Sequence, residues 1–314
     1  MAERRLIWLA GGLGLAVALF LLWNLRAPMG FILSLRAGTL AALVLVGAAS
    51  GAATVIFQTL VANRLLTPGI VGFDALFVFL QTALLASLGA AGFAALPTMP
   101  RFALEAGCLI AAAMALFGLV FRKGADDIIR MVLTGVILGV LLRGLAGFAQ
   151  RLLDPSEFAV LQQASIASFN AVPRDHLGIA ALALSVALLA AWRLSPRLDV
   201  ALLGRTKARS LGLDHDRLVL TGLGLVAALV AVSTALVGPV TFLGLLAASL
   251  ARAALPDSRH ALLIPAAAVI GATILVLGQT VFERILGLQS ALGMVVEFLG
   301  GLLFLALVLR RPAP

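Results

Sequence analysis

Polarity changes along this chain on the scale of whole helices rather than of single residues. Ten apolar runs cover residues 6–23, 38–60, 70–96, 102–121, 129–149, 177–194, 217–237, 240–255, 261–282 and 289–309, with charged or Pro- and Gly-bearing breaks between them. An α-helix rises about 1.5 Å per residue, so about 20 apolar residues cover the ~30 Å hydrocarbon layer of a bilayer. Strands of a membrane barrel would instead alternate in polarity over short segments. The pattern predicts an all-α, polytopic membrane protein of about ten transmembrane helices, forming a single domain over residues 1–314. Two connections stand out. Residues 150–176 are too polar to span and are expected as an ordered extracytoplasmic segment, and residues 193–217 carry six cations and three acids.

Composition agrees: 62% of residues are hydrophobic and 12% are charged, against about 25% charged in a soluble domain. There is too little polar surface to coat a soluble core, so most of the outside must face lipid. The net charge of +9 would suggest nucleic acid in a soluble protein. Here the cations fall between apolar runs. With the N-terminus inside, 16 of the 23 lysines and arginines lie on the inner side and 7 on the outer. That bias predicts cytoplasmic N- and C-termini and no nucleic-acid partner. Arg4 and Arg5 before Leu6–Leu22 resemble the start of a signal peptide. The run is long for one and lacks a clean cleavage site, so a retained first span is expected.

The chemistry-bearing residues are few. Cys108 is the single cysteine, and His176, His215 and His260 are far apart in sequence, so neither a metal site nor a cofactor is expected. No G-x-x-x-x-G-K-[ST] occurs, so ATP is not bound in the P-loop manner, and no catalytic constellation marks an enzyme. Polar residues inside the runs are costly and point to function or to interhelical contacts. Arg143 sits near the outer end of the fifth run; it is read either as facing a pathway or as snorkelling to headgroups. Asp74 follows the break at Pro68, where a carboxylate suits a helix start. Glu105 lies one turn into the fourth run, and Glu297 about eight residues into the tenth. Proton-relay carboxylates would belong to an ion-coupled secondary transporter, the rival class. Gln58, Asn63 and Gln81 are read as interhelical hydrogen-bonding groups, and the small residues of 47–53 and 89–95 as sites of close packing. Pro68-Gly69-Ile70-Val71-Gly72-Phe73 and Gly238-Pro239-Val240-Thr241-Phe242-Leu243-Gly244 echo each other, as paired helix breaks do in transporters built from inverted repeats.

Ala201-Leu202-Leu203-Gly204-Arg205-Thr206-Lys207-Ala208-Arg209-Ser210-Leu211-Gly212-Leu213 resembles the cytoplasmic coupling loop of FecCD-type ABC importer permeases, which reads roughly L-x-L-G-E-x-x-A-x-x-L-G. The family's following G-P-I-x-F-x-G-L run is matched by Gly238-Pro239-Val240-Thr241-Phe242-Leu243-Gly244-Leu245. Upstream, Val46–Gly51 through Phe57-Gln58-Thr59 is similar to the family's second span, and Asn63–Gly72 to its N-x-L-x-x-P-x-x-L-G turn. The likeness covers about residues 36–311 in order. Three departures are visible: Arg205 in place of Glu, Ala248-Ser249 in place of Pro-His, and Gly300-Gly301-Leu302 in place of Gly-Ala-Pro. With Leu153–Phe158 and Ala167–Asn170 they resemble one branch, in which two different permease chains pair. This chain is similar to the second of them, in systems associated with ferric catecholate siderophores.

The resemblance implies a type II ABC importer permease in a bacterial inner membrane, pairing with a second permease, two ATPase subunits and an extracytoplasmic binding protein. An anionic ferric siderophore would pass between the permeases by ATP-driven alternating access. Gly204, Arg205, Lys207, Ala208, Arg209, Leu211 and Gly212 would form the helix that docks on the ATPase; without the resemblance they read as a solvated basic loop. Arg143 and Glu297 become candidates for the pathway. Arg36 and Arg284, at outer span ends, become candidates for docking the binding protein, or are membrane anchors.

Overall fold

Every regular element among the described residues is helical. The structure, a computed structural model, describes residues 2–24, 28–121, 128–170, 172–256, 259–287 and 292–309. Each predicted run becomes a helix: α1 (Ala2–Leu22), α2 (Met29–Leu60), α3 (Phe73–Ala95), α4 (Thr98–Phe121), α5 (Ile128–Gln150), α7 (Arg174–Arg193), α10 (His215–Val237), α11 (Leu243–Ala254), α12 (His260–Gln279) and α13 (Leu292–Leu309). Three short helices lie between them: α6 (Pro155–Ala164), α8 (Ser195–Ala201) and α9 (Arg205–Ser210). Seven helices are long and apolar enough to cross a membrane, while Leu243–Ala254 and Leu292–Ala306 are shorter apolar helices. Arg26, Arg122, Lys123, Arg310 and Arg311 of the charge count, and the start of the tenth run at 289, lie outside the described residues.

Local chemistry sets the ends. Pro155 opens α6 at a position where no N–H is needed, and Asp154 and Glu157 form a reciprocal capping box there. The Asp214 carboxylate accepts from the Arg217 N–H and caps α10. Pro265 sits inside α12 and cannot donate to the carbonyl four residues back. That carbonyl, of Ala261, instead accepts from the Trp192 indole N–H at 3.1 Å. Helix α2 starts nine residues earlier than its apolar run, so Arg36 falls inside it. The helix tolerates this cation because the guanidinium donates to the Leu21 and Trp23 carbonyls at 2.5 and 2.9 Å, closing the end of α1.

Helix α2 is the hub, packed on α7, α10, α11 and α12. In lipid, hydrophobic burial adds little between helices, so close approach and dispersion hold them. A Cβ on Gly47 would stand 2.5 Å from Ala272 N, and one on Gly51 would stand 2.7 Å from Ala267 C. These glycines let the backbones of α2 and α12 touch. Outward-facing surfaces are apolar: Ile7 and Trp8 on α1, Ile137 and Leu141 on α5, Leu182 and Val186 on α7, and Phe298 on α13 are all exposed. One end of the bundle is basic. Arg5 reaches the Ala254 carbonyl at 2.9 Å there, Arg252 bonds Gln58, and α8 and α9 pack together. The opposite end holds α6, the Arg36 cap and Arg174, which reaches Ser34 at 3.4 Å.

Candidate translocation and coupling sites

The two echoed helix breaks meet inside the bundle. The first is a 3₁₀ turn at Gly69–Val71 leading through Gly72 into α3; the second is the 238–242 stretch between α10 and α11. A Cβ on Gly69 would lie 3.0 Å from Thr241 Cγ2, so the breaks are in backbone-to-side-chain contact. The Thr241 hydroxyl donates to Asp74 Oδ2 at 2.5 Å and lies 3.4 Å from Glu297 Oε1. Ser50 and Thr54 of α2, Ser233 and Thr234 of α10, Asp74 and Thr241 line a cavity of about 30 Å³ here. At 1.5 Å per residue, Ser50 stands about 15 Å from the end of α2 at Leu60, which is half the thickness of the hydrocarbon layer.

Small residues bring two further charges to this place. Gly135 and Gly139 of α5 seat the first break, with a Cβ on Gly139 falling 3.1 Å from Gly72 Cα. One turn further along α5, Arg143 is exposed and interacts electrostatically with Asp74. On α13, Gly300 lies against Phe242, where its Cβ would come 3.2 Å from Cγ. That contact sets Glu297, one turn earlier and exposed, beside Thr241. The structure thus brings Arg143 and Glu297 to one Asp74–Thr241 pair, Arg143 acting on Asp74 and Glu297 lying against Thr241. Sequence reading named the two end members and treated Asp74 as a helix-start carboxylate. It missed Thr241 and the hydroxyls, although Ser50 and Thr54 stand four residues apart and share a helix face.

At the basic end, residues 204–213 fold into one compact unit. Helix α9 starts from Gly204, at φ 88° and ψ 160°. It ends in a Schellman pattern, with Leu213 N–H donating to the Ala208 carbonyl at 3.0 Å and Gly212 N–H to the Arg209 carbonyl at 2.9 Å. Ala208 is fully buried. Arg205 and Arg209 both reach Asp216 Oδ2, at 3.2 and 2.6 Å, and so fasten α9 to the first turn of α10. Lys207 is exposed, and so are Leu202, Leu203 and Leu211, giving this face an apolar patch beside a cation. Of the cations considered for docking, two are engaged within the chain in this way. Leu202 and Leu203 were not singled out from sequence; the signal was large apolar side chains in the least apolar loop.

The unit is tied to the spanning helices next to it. Asp199 of α8 accepts from the backbone N–H of His260 at 2.9 Å, and its Oδ1 lies 2.6 Å from His260 Nδ1. The other ring nitrogen lies 2.8 Å from the Thr59 hydroxyl. One side-chain chain therefore joins α8 to the start of α12 and the end of α2. Arg252 of α11 adds a second tie through Gln58, whose amide N–H donates to the Arg64 carbonyl at 2.7 Å.

At the opposite end, Arg36 is buried and committed to the carbonyls of α1. Arg284 follows α12 in a π-helical turn, Thr280–Ile285; it is paired with Glu283 at 3.2 Å and lies near the Phe20 ring. Glu105 pairs with Arg101 at 2.8 Å, and Arg101 also donates to Gln81 at 3.0 Å. Asn63 accepts from Leu65 N–H in a local turn.

Comparison with known proteins follows the same lines. The family model described as the FecCD transport family matches residues 10–310. A petrobactin import system permease protein, YclO of Bacillus subtilis (strain 168), is 36% identical over 309 residues, which is 98% of either chain. A ferric enterobactin transport system permease protein, FepD of Escherichia coli (strain K12), is 30% identical over 87% of this chain and 80% of its own. A solved structure described as an inward-facing conformation of a metal-chelate type ABC transporter superposes with a TM-score of 0.84, covering 99% of this chain and 100% of that one at 21% identity.

Proposed function

The chain belongs to the FecCD transport family, and on that premise we propose that it is one of two permease chains of an importer for anionic ferric-siderophore complexes. Membership makes it a multi-pass ABC importer permease, working with ATPase and substrate-binding partners in a permease dimer. The rival reading as an ion-coupled secondary transporter finds no support in that membership. Siderophore import is what relatives such as the petrobactin and ferric enterobactin permeases are named for. The proposal extends that cargo class to this chain, with a non-identical second permease as partner, the bacterial inner membrane as its place, and both termini cytoplasmic.

The observation that carries the proposal is the pairing of a mid-depth charged cluster with a compact α9 unit that exposes apolar side chains at the basic end. In the proposed complex the second permease covers the apolar stripe Ile137, Leu141, Leu145 and Phe148 of α5, and Met294, Phe298, Leu302 and Leu305 of α13, all exposed in the single chain. Arg143, on the face of α5 that Gly135 and Gly139 share, and Glu297, on the flank of the α13 stripe, would line the passage between the two permeases. An exposed guanidinium there favours an anionic complex over a neutral one. The α9 unit would sit in a cleft of the ATPase, with Leu202, Leu203, Leu211 and Lys207 as its contact face. Nucleotide-driven movement of α9 would pass through Asp199 and His260 to α12 and α2, and α2 carries Ser50 and Thr54 at the mid-depth cavity. Arg284, at the opposite end, is proposed to meet carboxylates of the binding protein. Arg36 could join it only by releasing the α1 carbonyls.

The pathway assignment is tested by Arg143→Glu. Reversing the charge next to a passing anion sets like charges against each other, which costs several kcal/mol. Uptake of a ferric catecholate at limiting concentration should fall at least about tenfold, with normal insertion and ATPase association. Unchanged uptake would remove Arg143 from the passage.

A further inference from the structure

The mid-depth cluster holds more negative charge than the chain itself balances. Asp74 and Glu297 flank one hydroxyl, and among the described residues the charged group coupled to Asp74 besides Glu297 is Arg143. Two carboxylates and one guanidinium leave one negative charge over, at a depth where an uncompensated charge is costly. Thr241 has one hydroxyl proton, which Asp74 Oδ2 takes at 2.5 Å, so Glu297 receives the Thr241 backbone N–H while its Oε1 lies 3.4 Å from the hydroxyl oxygen.

The cavity beside the cluster is lined with oxygen and has room for a small occupant. Ser233 is 5% exposed, lines the cavity, and its hydroxyl oxygen is buried without a hydrogen-bond partner among the described residues. Thr54 of α2 and Thr234 of α10 are buried and line the same cavity, and residues of the two helix breaks complete its lining. About 30 Å³ admits one or two water-sized occupants and excludes an organic ligand. Among the described residues, the polar groups at the site are hydroxyls from α2 and α10, Asp74 from α3, Arg143 from α5, Thr241 before α11, and Glu297 from α13. The excess charge, the oxygen lining, the orphan hydroxyl and the size describe one kind of ligand.

We propose that the Asp74–Thr241–Glu297 cluster and its cavity bind one monovalent cation, a proton or a sodium ion, between the two helix breaks. The occupant neutralises the excess charge and holds the break before α3 to the break before α11. The site goes beyond the transport reading and rests on the cluster alone. Taken with that reading, it has a further consequence: once its excess negative charge is neutralised, the cluster no longer repels an anionic cargo that passes Arg143.

The test uses the full chain purified with its partner subunits in sodium-free buffer at neutral pH. Infrared spectra are recorded for a protonated carboxyl C=O band, and equilibrium binding of radioactive sodium is measured alongside. A proton as occupant gives a carboxyl band that sodium chloride does not remove. Sodium as occupant gives saturable binding of one ion per chain, with choline chloride inert. In either case Asp74→Asn and Glu297→Gln each abolish the signal, and each folds with unchanged or raised thermal stability in cation-free buffer, because the amide needs no counter-charge. Glu297 is exposed, so Glu297→Gln serves even if Asp74→Asn fails to fold. The proposal is overturned if the wild-type shows neither band nor sodium binding, or if the signal survives in both variants. Loss of siderophore transport with an intact signal would strike the transport reading and leave the cation site standing.

Discussion

Replacing Gly204 and Gly212 by alanine isolates the backbone's contribution to coupling. Gly204 lies at φ 88° and ψ 160°, and Gly212 at φ 83°. A Cβ at either position would meet nothing within 4 Å, so the substitutions create no clash. Their whole cost is conformational. Gly204 occupies a region essentially closed to other residues, and holding alanine there costs about 1–3 kcal/mol. The equilibrium constant for forming the compact α9 unit should then fall about fivefold to about a hundredfold, at 1.4 kcal/mol per tenfold. Arg205 and Arg209 on Asp216 are partly exposed and offset little of this. Titrating the membrane-embedded variant with purified ATPase subunit should show apparent affinity weakened by up to that factor, and further weakened in the double variant. Gly178→Ala, in the body of α7 with open space around its Cβ, is the control and should change nothing or slightly stabilise. Wild-type affinity in a double variant that inserts normally would refute the coupling role of this unit.

Three other substitutions test separate joints. Gly47→Val forces α2 and α12 apart by roughly 1 Å and should cost about 1–3 kcal/mol, read as a lower thermal unfolding temperature in detergent; an unchanged temperature would mean that the backbones do not touch there. Arg36→Gln leaves the Leu21 and Trp23 carbonyls short of charged donors and should cost about 1.5–3 kcal/mol in the same assay. Asp199→Asn keeps an acceptor for His260 but removes the charge. ATPase co-purification should stay normal while transport per ATP hydrolysed falls about tenfold, the worth of a charge-assisted bond over a neutral one; equal losses of both would place Asp199 in docking rather than transmission.

The apolar runs made the ten main helices legible because a bilayer fixes their polarity, and for the seven spanning ones their length, independently of packing. The paired breaks were legible too, since Pro and Gly punctuate helices by rules that hold locally. Their contact with each other was not, because it depends on tertiary packing that brings Gly69 to Thr241 across 172 positions. The cost of Arg143 and Glu297 in an apolar setting could be read from sequence; Asp74 as the residue joining them could not. Arg36 shows the opposite case. As a cation at a span end it read as a surface group, but α2 begins earlier than its apolar run, and the helix end of α1 consumes the charge. Arg205 and Arg209 were legible as part of the family-like loop at 201–213, yet Asp216, which holds both, lay outside the matching motif.

Uptake of radiolabelled iron, presented as a ferric catecholate to vesicles carrying the assembled complex, tests the central claim most directly. The account predicts uptake that requires ATP and the ATPase subunits, is lost in the Gly204→Ala, Gly212→Ala double variant, and persists when a protonophore dissipates the ion gradient. Uptake that continues without ATP and collapses with the protonophore would contradict it.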